Sequence, residues 1–298
     1  MRLLHRRSTQ QRAFALRLCF LGLLLIAAEC QVSPAAPVSA AGIFGAPAFN
    51  LQWEQGEGII TNFWGPLVNA SVPMYEEYAQ SPPTGQRLVQ YFDKGRMELN
   101  IPGGPVTNGL LTEELITGRV QMGDAQFMQR SPARIPVAGD PDNAFPLYAD
   151  LRAFTGTPVT APRIANTLAA SGGINSAFPA ATGDFNAQIV AYDALTGHYV
   201  PYAFGDFRNR FGLQTVGYAI TEPFWATLRV GTISKPVLIQ AFERRVLTYT
   251  PSNSRNFQVE FGNIGQHYYK YRHAPGSSDN PPPLLPQPIP AIFQPVGP

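Results

Sequence analysis

The sequence predicts an α+β fold: two related hairpin–loop–helix units with short helices, small antiparallel sheets and irregular connections. Three observations predict it. Stretches that alternate apolar and polar residues lead into stretches with apolar residues three and four apart, the periods of strand and helix. Proline (29) and glycine (27) break the 298 residues into short elements. The strand-then-helix pattern also occurs twice. Leu88-Val89-Gln90-Tyr91-Phe92-Asp93-Lys94 matches Leu238-Ile239-Gln240-Ala241-Phe242-Glu243-Arg244 at an offset of 150 positions. Gly109, Leu111, Leu115 and Arg119 match Gly262, Ile264, Tyr268 and Arg272 at an offset of 153.

The chain opens on a leader, residues 1–40. Arg2, Arg6, Arg7, Arg12 and Arg17 precede an unbroken apolar run at residues 18–28. That run is shorter than the roughly 20 residues a bilayer span needs, and its flanks fit a secretory signal. Val38-Ser39-Ala40 supplies small residues for cleavage near Ala40. Cys30 leaves lipidation open as an alternative, although Glu29 before it departs from the lipoprotein pattern. No later stretch is long and apolar enough to span a membrane.

Cleavage changes the bulk properties. Five of the 22 Lys+Arg and one of the 20 Asp+Glu lie before residue 41, leaving 17 basic against 19 acidic residues, a net charge of −2. No basic surface for nucleic acid is indicated. Both cysteines, Cys19 and Cys30, lie in the leader, so the mature chain has neither disulfide nor thiol ligand. Its length allows a core without such staples.

A first repeat-containing half is expected over residues 41–157. Its helix face carries Leu111 and Leu115, and Tyr148-Ala149-Asp150-Leu151-Arg152-Ala153-Phe154 reads as helical. Residues 158–183, rich in Ala, Thr, Ser, Gly and Pro, read as an irregular linker or long loop. The second half covers residues 184–274. Phe204, Phe207 and Phe211 predict a helix stopped by Gly212. Thr221-Glu222-Pro223 reads as an N-cap with proline in the first turn of another helix. A hairpin follows, with Glu243-Arg244-Arg245 at its tip. Pro251-Ser252-Asn253-Ser254-Arg255-Asn256 forms a turn, Phe257-Gln258-Val259-Glu260-Phe261 a strand, and Ile264, Tyr268 and Tyr271 one helix face. Residues 275–298 hold nine prolines and almost no charge; they read as a spacer or disordered tail of extended polyproline character.

These motifs carry a resemblance. Thr196-Gly197-His198, Val216-Gly217-Tyr218-Ala219-Ile220-Thr221-Glu222, the run from Gln240 to Pro251 and Gly262-Asn263-Ile264-Gly265-Gln266-His267-Tyr268-Tyr269 resemble uncharacterised secreted proteins of green non-sulphur bacteria. Each unit is also similar to the LGFP repeat of bacterial envelope proteins. Ala219 stands where that repeat has proline, and Ile135-Pro136-Val137-Ala138-Gly139 is matched to the turn of the first unit. The resemblance implies attachment to the cell wall and supplies no catalytic residues.

No nucleophile elbow, phosphate loop or dinucleotide fingerprint is present. The mature histidines His198, His267 and His273 lack metal-ligand spacing, so no metal and no cofactor is expected. His198 reads as a turn residue and His267 as a packed one. A carboxylate pair, Asp206 with Glu222, is the runner-up catalytic pair, because glycoside hydrolysis needs only two such groups. Glu222 reads equally as a first-turn helix carboxylate. Trp64, His198, Trp225, Tyr249, His267 and Tyr269 are the ligand-binding candidates, the aromatic ones by stacking on sugar rings. The expectation is a secreted or cell-surface-associated, non-catalytic protein that binds cell-wall or extracellular polysaccharide. Two alternatives stay open: a hydrolase of an envelope polysaccharide, and a scaffold for another secreted protein.

Overall fold

The computed structural model describes residues 44–60, 62–68, 73–156, 167–168, 174–175 and 184–273. The chain divides into two units, Met1–Ser39 and Ala40–Pro298. The leader, its cleavage site and the Pro-rich tail lie outside the described residues, as does most of the 158–183 connection.

Helix α1 (Pro47–Glu57) comes first. An antiparallel sheet follows, formed by β1 (Met74–Glu77), β2 (Gln86–Phe92), β3 (Gly95–Leu99) and β4 (Val106–Thr107) in sequence order. Helix α2 (Leu111–Thr117) then ends at Gly118, whose φ of 74° is the left-handed cap that glycine adopts without strain. A ribbon, β5 (Arg119–Gln121) with β6 (Phe127–Gln129), leads to a 3₁₀ helix over Tyr148–Phe154. The helical reading of that segment holds, in the tighter form.

The connection read as irregular contributes two short strands, β7 (Thr167–Leu168) and β8 (Ile174–Asn175). Next come the ribbon of β9 (Ile189–Asp193) and β10 (His198–Pro201), helix α3 (Tyr202–Phe211) and the single turn α4 (Leu213–Val216). As its spacing requires, α3 buries Phe204, Phe207 and Phe211, and Gly212 stops it at φ 81°. Strands β11 (Phe224–Val230), β12 (Ile233–Ala241), β13 (Val246–Tyr249) and β14 (Val259–Phe261) form a second sheet, in order β14-β13-β12-β11-β7-β8. Among the described strands only β11 and β7 pair in parallel. Helix α5 (Ile264–His273) completes the described chain.

One expectation fails. Thr221-Glu222-Pro223 does not start a helix; β11 follows and pairs with β12 along its whole length. The cap signature is local, whereas Phe224 and Trp225 find cross-strand partners in Ile239 and Leu238.

The period of two divides both sheets between two cores. Leu88, Phe92, Met97 and Leu99 of the first sheet, with Trp225, Leu238, Leu247 and Tyr249 of the second, face a core closed by Phe49 of α1 and Phe204 and Phe207 of α3. Val89, Tyr91, Phe224, Val237, Ile239 and Val246 face a second core, closed by Leu111 and Leu115 of α2, Tyr148 and Leu151 of the 3₁₀ helix, and Ile264 and Tyr268 of α5. Each core therefore takes residues from both halves of the sequence.

The two hairpins are held by matching backbone bonds. Val68 N donates to Tyr91 O, Asp93 N to Pro66 O and Lys94 N to Trp64 O; Ile220 N donates to Ala241 O, Glu243 N to Tyr218 O and Arg244 N to Val216 O. Gly65 (φ 68°) and Gly217 (φ 87°) occupy equivalent turns. The segment bonded to the first hairpin tip is thus Trp64-Gly65-Pro66-Leu67-Val68, whereas Ile135-Pro136-Val137-Ala138-Gly139 bridges through Pro136 to Leu147. The helices dock crosswise. Gly265 N and Gln266 N of α5 donate to Asp93 O on the first hairpin, and Glu113 N of α2 donates to Glu243 O on the second.

Candidate functional site

An open cleft of about 950 Å³ lies between the chain following α1, helix α3 and the β13–β14 connection. That volume suits a small-molecule or oligosaccharide site. Its base is aromatic. Phe207, Phe211 and Phe261 sit with ring centroids 4.4 to 5.3 Å apart, and Phe63 joins them 5.5 Å from Phe261. Helical spacing places Phe207 and Phe211 on the buried side of α3. The same period turns Asp206 and Arg210 outward, where they pair at 3.2 Å.

The β13–β14 connection presents another ring. Asn253 Nδ2 donates to Phe257 O at 2.9 Å, Phe257 N to Ser254 O at 2.8 Å and Gln258 Nε2 to Pro251 O at 3.1 Å. The braced turn leaves the Phe257 side chain 61% exposed. Across the cleft Tyr202, 38% exposed, lies against exposed Phe185 at 4.6 Å between centroids. Tyr249 completes the wall from beneath. Its hydroxyl donates to Asp184 Oδ2 at 2.8 Å and accepts from Asn186 Nδ2 at 2.9 Å. Burial first, then the bond to Asp184, pushes that hydroxyl up to about 12, so it keeps its proton. Lys94 and Asp93, 3.7 Å apart, and Glu260 and Arg255 finish the polar rim.

Most sequence candidates lie elsewhere. Trp64 and Trp225 are fully buried in the first core and offer no face to a ligand. Tyr249 alone of them lines the cleft, and it is itself buried. Tyr269 is half-buried on α5, edge-on to Tyr91 and tilted against His273. His267 Nδ1 lies 2.9 Å from Tyr148 Oη; burial, with Lys270 and Lys94 adding to it, lowers its pKa to about 3. His198 is not a turn residue: it opens β10, buried, with Nδ1 3.1 Å from Glu222 Oε1. Glu222 is correspondingly not a helix-terminal carboxylate. It is fully buried and also accepts from Tyr199 N at 3.3 Å. Asp206 lines the cleft and Glu222 does not, so the fold does not assemble them there as a pair.

A second polar constellation sits in the core that α2 and α5 close. The Glu76 carboxylate receives Arg96 Nη1 at 2.9 Å, Arg272 Nη1 and His273 Nε2 at 3.2 Å, Arg87 Nη2 at 3.5 Å and a short bond from Tyr91 Oη. Glu98 takes Arg87 Nη1 at 3.3 Å and Arg96 Nε at 2.8 Å. Burial alone would raise the Glu76 carboxyl, but Arg272, Arg96, the His273 bond and Arg87 hold it well below its ordinary 4.5. Tyr268 donates to Glu114, whose carboxyl burial raises. The five groups around Glu76 fill its acceptor positions and are themselves buried, so this network ties α5 to the first sheet and leaves no oxygen for a ligand.

Nothing in the sequence singled out Glu76, Tyr202 or Phe257. Phe257 had one legible signal, a large apolar residue at the edge of a cluster of turn formers. Among the described residues no group of three His, Cys, Asp or Glu side chains could hold a metal ion, and no helix is long and apolar enough to cross a membrane.

The described residues define an α+β fold with an aromatic-based, polar-rimmed groove of ligand size. Comparison with protein-family models, curated proteins and solved structures returns no match to this chain.

Proposed function

We propose that this chain is a secreted, envelope-associated protein that binds cell-wall or extracellular glycan, without catalysis, in the cleft beside α3. The observation that carries the reading is the presence in one cleft of two exposed aromatic residues, Phe257 and Tyr202, with the outward ion pair Asp206–Arg210. A pyranose has an apolar C–H face and an equatorial belt of hydroxyls. Ring faces take the first; a carboxylate and a guanidinium, which accept and donate in fixed directions, take the second. The export signal and the likeness to envelope repeats support the same reading from the sequence.

The hydrolase alternative needs a second carboxylate near Asp206. Asp93 and Glu260 line the cleft and would replace Glu222 in that role. A pull-down of residues 41–298 on isolated envelope polysaccharide, with soluble sugar measured in the same tube, separates the readings. Retention without release is expected. Release would establish the hydrolase, and neither retention nor release would favour a protein partner.

A further inference from the structure

We infer that residues 281–290 of this chain dock, in cis, into the cleft between α3 and the β13–β14 connection. The sequence there is Pro-Pro-Pro-Leu-Leu-Pro-Gln-Pro-Ile-Pro. Six of its ten residues are prolines, which lack an N–H, so the segment presents carbonyl acceptors and apolar rings and very few donors. The cleft offers the complement. Phe257 and Tyr202 both line it and are exposed, and aromatic-lined grooves are the surfaces that take polyproline helices. Arg210, more than half exposed, bonds Asp206 through Nη2 and keeps further guanidinium N–H groups for carbonyls. The segment carries no charge, and the ion pairs Asp206–Arg210 and Asp93–Lys94 are balanced within the wall, so no charge is stranded on contact.

The chain is long enough. Helix α5 begins beside the cleft, where Lys94 bonds Asn263 and Asp93 O caps Gly265 N. Its ten residues carry the chain about 15 Å away, to His273. The seven residues 274–280 span up to about 23 Å when extended, enough to bring Pro281 back. Tethering sets an effective concentration in the millimolar range, so a contact as weak as about 0.1 mM is roughly nine-tenths formed. A proline-rich sequence also has less backbone freedom to lose on docking than an ordinary one.

Residues 41–298 contain no cysteine, which allows a direct test by disulfide trapping. Asn256→Cys, exposed at the cleft rim, is combined with Gln287→Cys. The expected result is an intramolecular disulfide whose rate of formation does not change on tenfold dilution. Replacing Tyr202 and Phe257, both exposed, with Ala is expected to slow trapping at least fivefold with an unchanged circular dichroism spectrum. An equal rate in the Ala variant, no trapping, or a product that is mainly an inter-chain dimer would overturn the inference. No sugar enters this assay, so it can fail while glycan retention stands, and the reverse.

Discussion

Arg245 lies directly against Gly95: a Cβ on Gly95 would stand 2.6 Å from Arg245 Cζ. The two residues hold corresponding places after β2 and β12, Gly95 opening β3 and Arg245 preceding β13. The guanidinium is fully buried against the rings of Trp64, at 5.2 Å, and Phe261, at 5.6 Å, and among the described residues none of its nitrogens has a hydrogen-bond partner. Burial first, and Arg244 second, lower its pKa to about 9, so it stays charged at neutral pH. Ring faces supply part of the stabilisation that water would. The one side chain thus fills the space that the missing side chain of Gly95 leaves.

That relationship predicts a coupled pair of mutations. Gly95→Ala overpacks the contact and costs about 1–3 kcal/mol in urea unfolding. In an Arg245→Ala background the same change costs less than about 0.5 kcal/mol, because the guanidinium is gone. Equal costs in both backgrounds would show that the contact does not determine the need for glycine at 95.

Glu76→Gln leaves Arg87, Arg96 and Arg272 buried without their shared carboxylate. Loss of one member of a buried ion network costs about 3–5 kcal/mol, measurable as a lower denaturation midpoint. The pH dependence follows from the lowered folded pKa. The stabilisation by Glu76 is complete above about 4.5 and is lost as pH falls below that toward the folded value. The variant is predicted to lose this acid limb; an unchanged midpoint would remove the network from the account of stability.

His267 acts in a higher window. Its folded pKa lies near 3 against an ordinary 6.5, so the unfolded chain takes up the proton first. Stability is full above pH 6.5 and declines as pH falls from there toward 3, by about 2 kcal/mol between pH 6.5 and 4.5. His267→Gln flattens this slope in a pH series of thermal melts. A slope that persists in the variant would assign it to another group.

Local pattern accounts for what the sequence made legible. Leu238, Gln240 and Phe242 alternate with Val237, Ile239 and Ala241, and each set faces its own core. Phe204, Phe207 and Phe211 needed only the helical period, and Gly212 only its freedom at positive φ. The misread elements depend on distant partners. Glu222 reads as a helix start until β11 pairs with β12 and His198 arrives from β10. Glu76 carries no local signal of its own, because its partner Arg272 comes from α5, almost 200 positions further on. Trp64 and Trp225 have the composition of a sugar platform, but large rings are also what cores bury, and here the core took them. Phe257 is exposed on a turn that Asn253 and Gln258 brace, a feature periodicity does not encode.

The central claim is that the cleft beside α3 binds glycan through its exposed rings. Its most direct test is retention on envelope polysaccharide of residues 41–298 beside the Tyr202→Ala, Phe257→Ala double variant. The account predicts that the parent is retained, that the variant loses at least tenfold in affinity with its fold intact, and that neither releases sugar. Equal retention of both proteins, or of neither, would contradict it.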